Sequence, residues 1–380
     1  MSAPSITARE IRFRPRGGDG ATEGLDALLT TVTGYLRRYV VLSDDQIVAV
    51  ALWVAHTHAF EAADCTPYLQ ITSATKRAGK TRLLEVLEPI VARPWFTGRT
   101  SAAALMRKID AQRSTLLLDE SDAAFNSDGE YGEALRGQLN LGYRRRGSST
   151  VCVGQGTKIE ARDFSTFSPK AIAGIGQLPP TVADRAIRIE LRRKTTDEPC
   201  ARWRDRDGTA EARPISESLA RWAGYAVEVL SAARPGLPRA LSDRAADVWE
   251  PLLAIADLAG SEWAERARRA AIALSGTPDD GDINVELLHD IARIFEEERS
   301  TFLDSTTLAS KLAAQVDRPW ADWRQGRGIT PKAIAERLKG FSIVPVRNAE
   351  GSARGYRRDQ FDDALARYPP AACVNPSDAQ

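Results

Sequence analysis

Between residues 23 and 60 the apolar positions recur at helical spacing. Leu25, Leu28, Leu29, Val32 and Leu36 fall three and four apart, which is one face of a helix. Ser43, with Asp44, Asp45 and Gln46 behind it, opens a second helix, rich in Ala and Val, that runs to about Phe60. The period then changes. Tyr68-Leu69-Gln70-Ile71-Thr72 is a short β-type run, a polar stretch reaches to Thr81, and Leu83, Leu84, Val86 and Leu87 return to helical spacing. The pattern next predicts a helix over Ser101–Ala111 and a buried strand, Thr115–Leu118, that ends in Asp119-Glu120. A helix from Tyr131 to Tyr143 follows. Residues 148–168 read as a β-hairpin, with Val151 and Val153 on one arm and Gly154-Gln155-Gly156 near the bend. Lys170–Gly176 is a further apolar strand, and Ala186–Leu191 alternates as an exposed or edge strand does.

Polar residues with Asp, Arg, Gly and Pro make 195–215 a candidate linker. Residues 216–302 are mainly helical, broken at Pro235–Pro238 and at 276–281. Beyond 303 come helices near 306–315 and 330–340, short strands near 342–347 and 354–358, and a terminal helix. Helices followed by a hairpin are the order of a winged helix. The expected division is a disordered leader (1–22), an N-terminal helical region (23–62), an α/β core (63–195), a helical lid-like region (196–302), a winged-helix-like domain (303–370) and a disordered tail (371–380).

Composition narrows the classes. A length of 380 residues allows two or three domains. With 43% hydrophobic and 27% charged residues, and no apolar run of membrane-spanning length, the chain reads as a soluble, cytoplasmic protein without a membrane partner. Cys65, Cys152, Cys200 and Cys373 form no CxxC pair, which argues against zinc and against a disulfide framework. His56, His58 and His289 are too few for a histidine metal site, and the first two sit in the Ala-rich helix as structural residues. A net charge of +1 says nothing about nucleic acid, so local charge must be read instead.

The chemistry concentrates in the polar stretch between strand and helix. Ala74-Thr75-Lys76-Arg77-Ala78-Gly79-Lys80-Thr81 follows a strand and opens a helix. That context suits a loop whose N–H groups surround phosphates, with Lys80 as a point charge and the Thr81 hydroxyl as a Mg²⁺ ligand. Ala74 stands where the general pattern has its first glycine. About forty residues on, Asp119 ends a buried strand, where a carboxylate needs a partner, and a magnesium shell supplies one. Glu120 is placed to polarise the attacking water. The alternative for Asp119-Glu120 is a helix N-cap pair. Both halves together point to ATP and Mg²⁺ as cofactors and to hydrolysis. Gln177, at the end of a strand, is a candidate γ-phosphate sensor or a plain loop glutamine. Arg185 is the first candidate, and Arg188 the second, for a guanidinium acting on a neighbouring subunit's nucleotide; the alternative for Arg185 is a surface pair with Asp184.

The segments LQITSATKRAGKTRLLEVL, STLLLDESDAAF, LRGQLNLGYRRRGS and PKAIAGIGQLPPTVADRAIRIELRR resemble an uncharacterised-domain family. That family occurs in actinobacterial phage, prophage and plasmid proteins, often near primase-polymerase modules. RPWADWRQGRGITPKAIAERLKGF and GYRRDQF resemble its end, so the likeness covers roughly residues 25–370. The family is similar to the ring-forming replicative helicases of superfamily 3 and to the wider AAA+ group. The resemblance implies an AAA+-like α/β P-loop core, a hexamer with nucleotide at subunit interfaces, and a DNA partner. Superfamily 3 rings carry a DNA-gripping hairpin between the Asp-Glu strand and the sensor strand, the place of residues 148–168. On that reading Lys158, Arg144 and Arg145 meet single-stranded DNA, and Lys332 and Arg357 of the winged-helix-like part meet duplex. Solvated charged faces and a packing module are the alternatives. Three functions fit: an ATP-driven ring motor of phage or plasmid replication, a non-translocating ATP-dependent initiator or loader, and a defence or signalling ATPase.

Overall fold

Two helices precede the first strand: α1 (Leu25–Tyr39) and α2 (Asp44–Ala59). Ser43 caps α2 in a reciprocal box, its side chain accepting from the Gln46 N–H while the Gln46 side chain accepts from the Ser43 N–H. Helix α2 is apolar all round, and nearly every residue from Ile47 to Ala59 is buried. A helix without a polar face belongs inside a core, and each fully buried Val, Leu or Ile there contributes about 1.5–3 kcal/mol. The computed structural model describes residues 24–368 apart from 74, 120–129, 156–157, 175–177, 196, 199, 276–279, 316–317, 324–327 and 349. The predicted leader (1–22) and tail (371–380) lie outside the described residues.

The chain continues through β1 (Tyr68–Thr72), α3 (Lys80–Leu87), β2 (Pro94–Thr97), α4 (Ala102–Gln112), β3 (Thr115–Leu118), α5 (Glu130–Leu141), the hairpin arms β4 (Ser148–Gln155) and β5 (Lys158–Ser165), then β6 (Lys170–Ala173), α6 (Pro180–Ala183) and β7 (Ala186–Glu190). Five of these strands form one parallel sheet in the order β2-β3-β6-β1-β7. Strands β1, β3 and β6 are buried along their whole length, as strands covered on both faces must be. Strand β7 is the edge strand its alternation predicts. Strand β2, with little burial and a proline, carries no sequence signal and pairs with β3 at the other edge. Arms β4 and β5 pair only with each other.

Three helices follow: α7 (Asp205–Ala232), α8 (Asp243–Ala259) and α9 (Ser261–Ser275). They pack on α1 and α2 and share one core with the sheet. Two expectations change here. Residues 205–215 are helix, not linker, because Gly208, Ala212, Ile215, Leu219, Ala223 and Ala226 make a buried stripe that outweighs the polar composition and Pro214. The short segment before α7 is tied down as well. Ala201 N–H donates to the Arg38 carbonyl at 2.7 Å, and Trp203 packs edge-on against Tyr39 at 4.9 Å. The region 23–62 is likewise no separate part, since α1 and α2 lie in the core shared with the sheet.

The chain divides into two compact units, Met1–Thr277 and Pro278–Gln380, rather than at residue 302. Helix α10 (Asp280–Glu298) belongs to the second unit, where Leu287, Leu288, Ile291 and Phe295 enter its core. The unit continues with β8 (Phe302–Asp304), α11 (Ser305–Ala313), α12 (Pro331–Leu338), β9 (Val346–Arg347), β10 (Arg354–Arg357) and α13 (Asp362–Arg367). Strands β8, β10 and β9 form an antiparallel sheet in that order. Trp320 is fully buried and donates to the buried Asp290 at 2.7 Å; Arg293 and Arg318 also reach that carboxylate. No helix among the described residues is long and apolar enough to cross a membrane.

Candidate nucleotide site

Connections leave β1 and β6 in opposite directions, to β2 on one side and to β7 on the other. Beyond the carboxyl ends of such neighbouring strands an open α/β sheet leaves a crevice. The loop from Ser73 to Gly79 leaves β1 there and turns into α3. Of the residues just before Lys80, Arg77 (φ +65°) and Gly79 (φ +95°) are left-handed, while Lys76 and Ala78 are not. Backbone of alternating hand gathers successive N–H groups into a concavity that suits an anion, and the positive end of α3 lies behind it. Ala74 lies outside the described residues.

Lys80 and Thr81 are the first two residues of α3. The Lys80 ammonium donates to the Ser73 hydroxyl at 2.7 Å, and that hydroxyl donates to the Thr75 carbonyl at 2.7 Å. Ser73 is buried, so it anchors the loop from inside, a role its sequence position did not announce. Arg193, beyond the end of β7, donates from two nitrogens to the Lys76 carbonyl, at 3.2 and 3.0 Å. Local sequence gives no signal for a contact 117 positions apart.

Asp119 follows β3, its N–H donating to the Thr97 carbonyl of β2 at 3.0 Å. Its Oδ2 accepts from the Thr81 hydroxyl at 2.8 Å. Magnesium holds oxygen ligands at about 2.0–2.1 Å in octahedral geometry, which sets adjacent ligands about 2.9 Å apart. The Thr81–Asp119 pair therefore has the spacing of two neighbouring ligands, and one strand of the sheet, β6, separates β1, whose loop leads to Thr81, from β3, which ends just before Asp119. Glu120 and Gln177 lie outside the described residues. No cluster of His, Cys, Asp and Glu among the described residues forms another metal site.

Arg185 stands at the other end of the sheet. Its carbonyl accepts from the Tyr68 N–H at 3.0 Å, where β1 and β7 begin, whereas the loop leaves β1 at Thr72. At about 3.3 Å per residue, the five-residue strands hold it roughly 16 Å from its own chain's loop. The guanidinium contacts the Thr181 carbonyl and lies over the Tyr143 ring at 5.8 Å, rather than making the alternative pair with Asp184. Arg188, the second candidate, pairs with Glu190 at 3.3 Å. Burial raises the Tyr68 and Tyr143 hydroxyls above their ordinary range. Burial also holds the Lys170 ammonium well below its own, despite its bonds to the Thr166 and Ser168 carbonyls at 3.0 and 2.8 Å.

The hairpin β4–β5 projects with exposed outer positions, among them Cys152, Ile159, Glu160 and Arg162. Lys158 opens β5 opposite Gln155, so its backbone is at the tip; its side chain lies outside what is described. The two arginines expected to join it do not. Arg144 pairs with Asp247 at 2.9 Å, and Arg145 holds the Ala63 carbonyl at 2.9 Å, both at the hairpin's base. The backbone carbonyls of Glu61 and Ala63 and the Asp247 carboxylate hold these guanidiniums. In the second unit Lys332 is exposed at the start of α12. Arg357 is exposed but paired with Asp359 at 3.3 Å.

Residues 190–368 match the family described as protein of unknown function, DUF3631. The uncharacterized 28.9 kDa protein in the xis 5′ region of Saccharopolyspora erythraea is 34% identical over 188 residues, 48% of this chain and 70% of that relative. The chain belongs to this family. The DUF3631 stretch begins at the last residue of β7, so Lys80, Thr81 and Asp119 lie before it, and Arg193, Lys332 and Arg357 lie within it. Among solved structures, the apo A form of the NrS-1 C terminal region is similar with a TM-score of 0.40 at 12% identity, over 88% of this chain and 75% of that one. The apo A form of its residues 305–718 is similar with a TM-score of 0.38 at 11% identity, over 88% and 74%. Likeness this loose carries no argument about fold or function.

Proposed function

We propose that this protein is an Mg²⁺-dependent ATPase of the P-loop class that works on DNA, a ring-forming motor of phage or plasmid replication. The observation that carries the ATPase reading is the Thr81–Asp119 pair, 2.8 Å apart, at the head of α3 and the end of β3. A divalent ion held between the two oxygens would neutralise charge on the β- and γ-phosphates. Lys80, parked on Ser73, is within a side-chain rotation of the same crevice and exchanges one hydroxyl for phosphate oxygens. Loop N–H groups and the α3 dipole bind the remaining phosphate charge. Glu120, next to Asp119 in sequence, orients the attacking water and accepts its proton.

Arg185 is too far from its own loop to touch its own nucleotide. The same position at a surface between copies lets it stabilise charge in a neighbour's site, which fits a homo-oligomer such as a hexamer. The hairpin has the place in chain order of the DNA-gripping hairpin of superfamily 3. The order α10-β8-α11-α12-β9-β10 is that of a winged helix, with α12 and Lys332 as the part that would enter a groove. Priming would fall to a separate primase-polymerase. The engagement of Arg144 and Arg145 at the hairpin's base favours a second reading, a non-translocating ATP-dependent initiator or loader, because it leaves fewer cations to track a strand.

Hydrolysis of MgATP by the purified full chain, with and without single-stranded DNA, tests both. Turnover that DNA stimulates and that Lys80→Ala abolishes supports the motor. DNA-independent binding of ATP without turnover leaves the initiator. Equal behaviour of wild type and Lys80→Ala removes the P-loop reading altogether.

A further inference from the structure

The loop before α3 holds a conformation that its own sequence does not favour. Arg77 is left-handed at φ +65°, a backbone that side chains other than glycine's disfavour. Such a residue persists when its surroundings over-determine it. The Ser73 hydroxyl holds the Thr75 carbonyl and the Lys80 ammonium to either side, and the Arg193 side chain holds the Lys76 carbonyl next to Arg77 itself. Leu191 N–H donates to the Thr72 carbonyl at 2.8 Å and extends the β7–β1 pairing, so residue 193 comes alongside the loop. The Arg193 fork then closes on the Lys76 carbonyl from two nitrogens. The peptide between Lys76 and Arg77 is trans and planar, so its N–H points opposite to its carbonyl. Holding the carbonyl toward Arg193 turns the Arg77 N–H away from Arg193 and locks the start of the left-handed turn.

We propose that Arg193 is a positioning residue for the phosphate loop: its guanidinium clamps the Lys76 carbonyl, holds Arg77 left-handed, and so presets the loop N–H groups for a triphosphate it does not itself touch. The inference rests on the nucleotide reading above and deepens it. The clamp needs a fork. Lysine brings the same charge but lacks the two fixed donors, so charge and geometry can be separated. A clamp that presets the ground state acts on nucleotide affinity and KM, and leaves kcat unchanged.

The test uses the nucleotide-free full chain and Mg²⁺ with a fluorescent methylanthraniloyl ATP. Its variants are Arg193→Ala, Arg193→Lys and Lys80→Ala. Loss of this solvent-exposed hydrogen-bonded clamp predicts about three- to tenfold weaker binding in Arg193→Ala. The same loss is expected in Arg193→Lys, with KM raised and kcat kept. Amide exchange across residues 75–79 should quicken in both variants without nucleotide, while exchange in β1 and β6 stays as in wild type. Wild-type affinity in Arg193→Ala, full rescue by Arg193→Lys, or unchanged exchange at 75–79 overturns the clamp. The nucleotide reading fails differently: wild type then shows no binding that depends on Lys80, and the exchange data still decide whether Arg193 holds the loop.

Discussion

Single residues in the loop before α3 carry costs that can be separated. At Gly79 a Cβ would meet nothing within 4 Å, so an alanine there is resisted by its φ of +95° alone. Gly79→Ala should therefore lower the unfolding free energy by about 1 kcal/mol, read from urea denaturation. It should also weaken nucleotide binding, because the backbone escapes by turning its N–H groups. An alanine with unchanged stability and affinity would mean that the left-handed turn does not matter. Gly142 is the contrast. A Cβ there would lie 2.4 Å from the Thr166 carbonyl and 2.8 Å from the Lys170 ammonium, a matter of space and not of φ. That Thr81 at the head of a helix comes against Asp119 at the end of a strand was legible from strand-loop-helix order and a strand ending in acid. Arg193 was not, since its contact with Lys76 depends on which strands lie side by side; the contacts of Ser73, to Thr75 and Lys80, are local, but a serine at the end of a strand does not announce them.

At the scale of elements, α2 shows how burial sets chemistry. His56 is fully buried, 2.9 Å from the Thr66 hydroxyl, and burial lowers its pKa from 6.5 to about 3. The folded chain keeps the ring neutral, while the unfolded chain binds a proton below pH 6.5. Stability is therefore full above pH 6.5 and falls as pH drops from there toward 3, by up to about 1.4 kcal/mol per pH unit. His58, lowered mainly by burial, adds in the same sense. His56→Leu should have a shallower acid limb in denaturation curves taken between pH 7 and 4. A limb as steep as wild type would show that His56 does not titrate there. The structural role expected of this histidine from its Ala-rich surroundings has its physical reason in that burial. The helix α7 was missed over 205–215 for a related reason: its buried stripe starts there with Gly208 and Ala212, which pack closely without looking hydrophobic, and reaches Ile215 only at the end of that stretch.

At the scale of the whole molecule, two cores divide the chain at 277/278. The second holds Trp320 and its own three-stranded sheet. A fragment of residues 278–380 should fold alone, with a near-ultraviolet circular dichroism signal from the packed Trp320. A fragment without fixed aromatic signal would show that its core needs the rest of the chain. What the sequence by itself determined is local. Helix and strand periods, the Ser43 cap, the loop between β1 and α3 and the acid at the end of β3 all depend on neighbours a few positions apart. The tertiary structure alone decided the strand order, which brings Thr81 against Asp119 and Arg193 against Lys76. It also decided that Arg144 and Arg145 serve the hairpin's base and that Arg185 stands at the far end of the sheet. Those outcomes depend on which apolar faces meet, and pairing between distant segments follows from burying the common core, which no local pattern records.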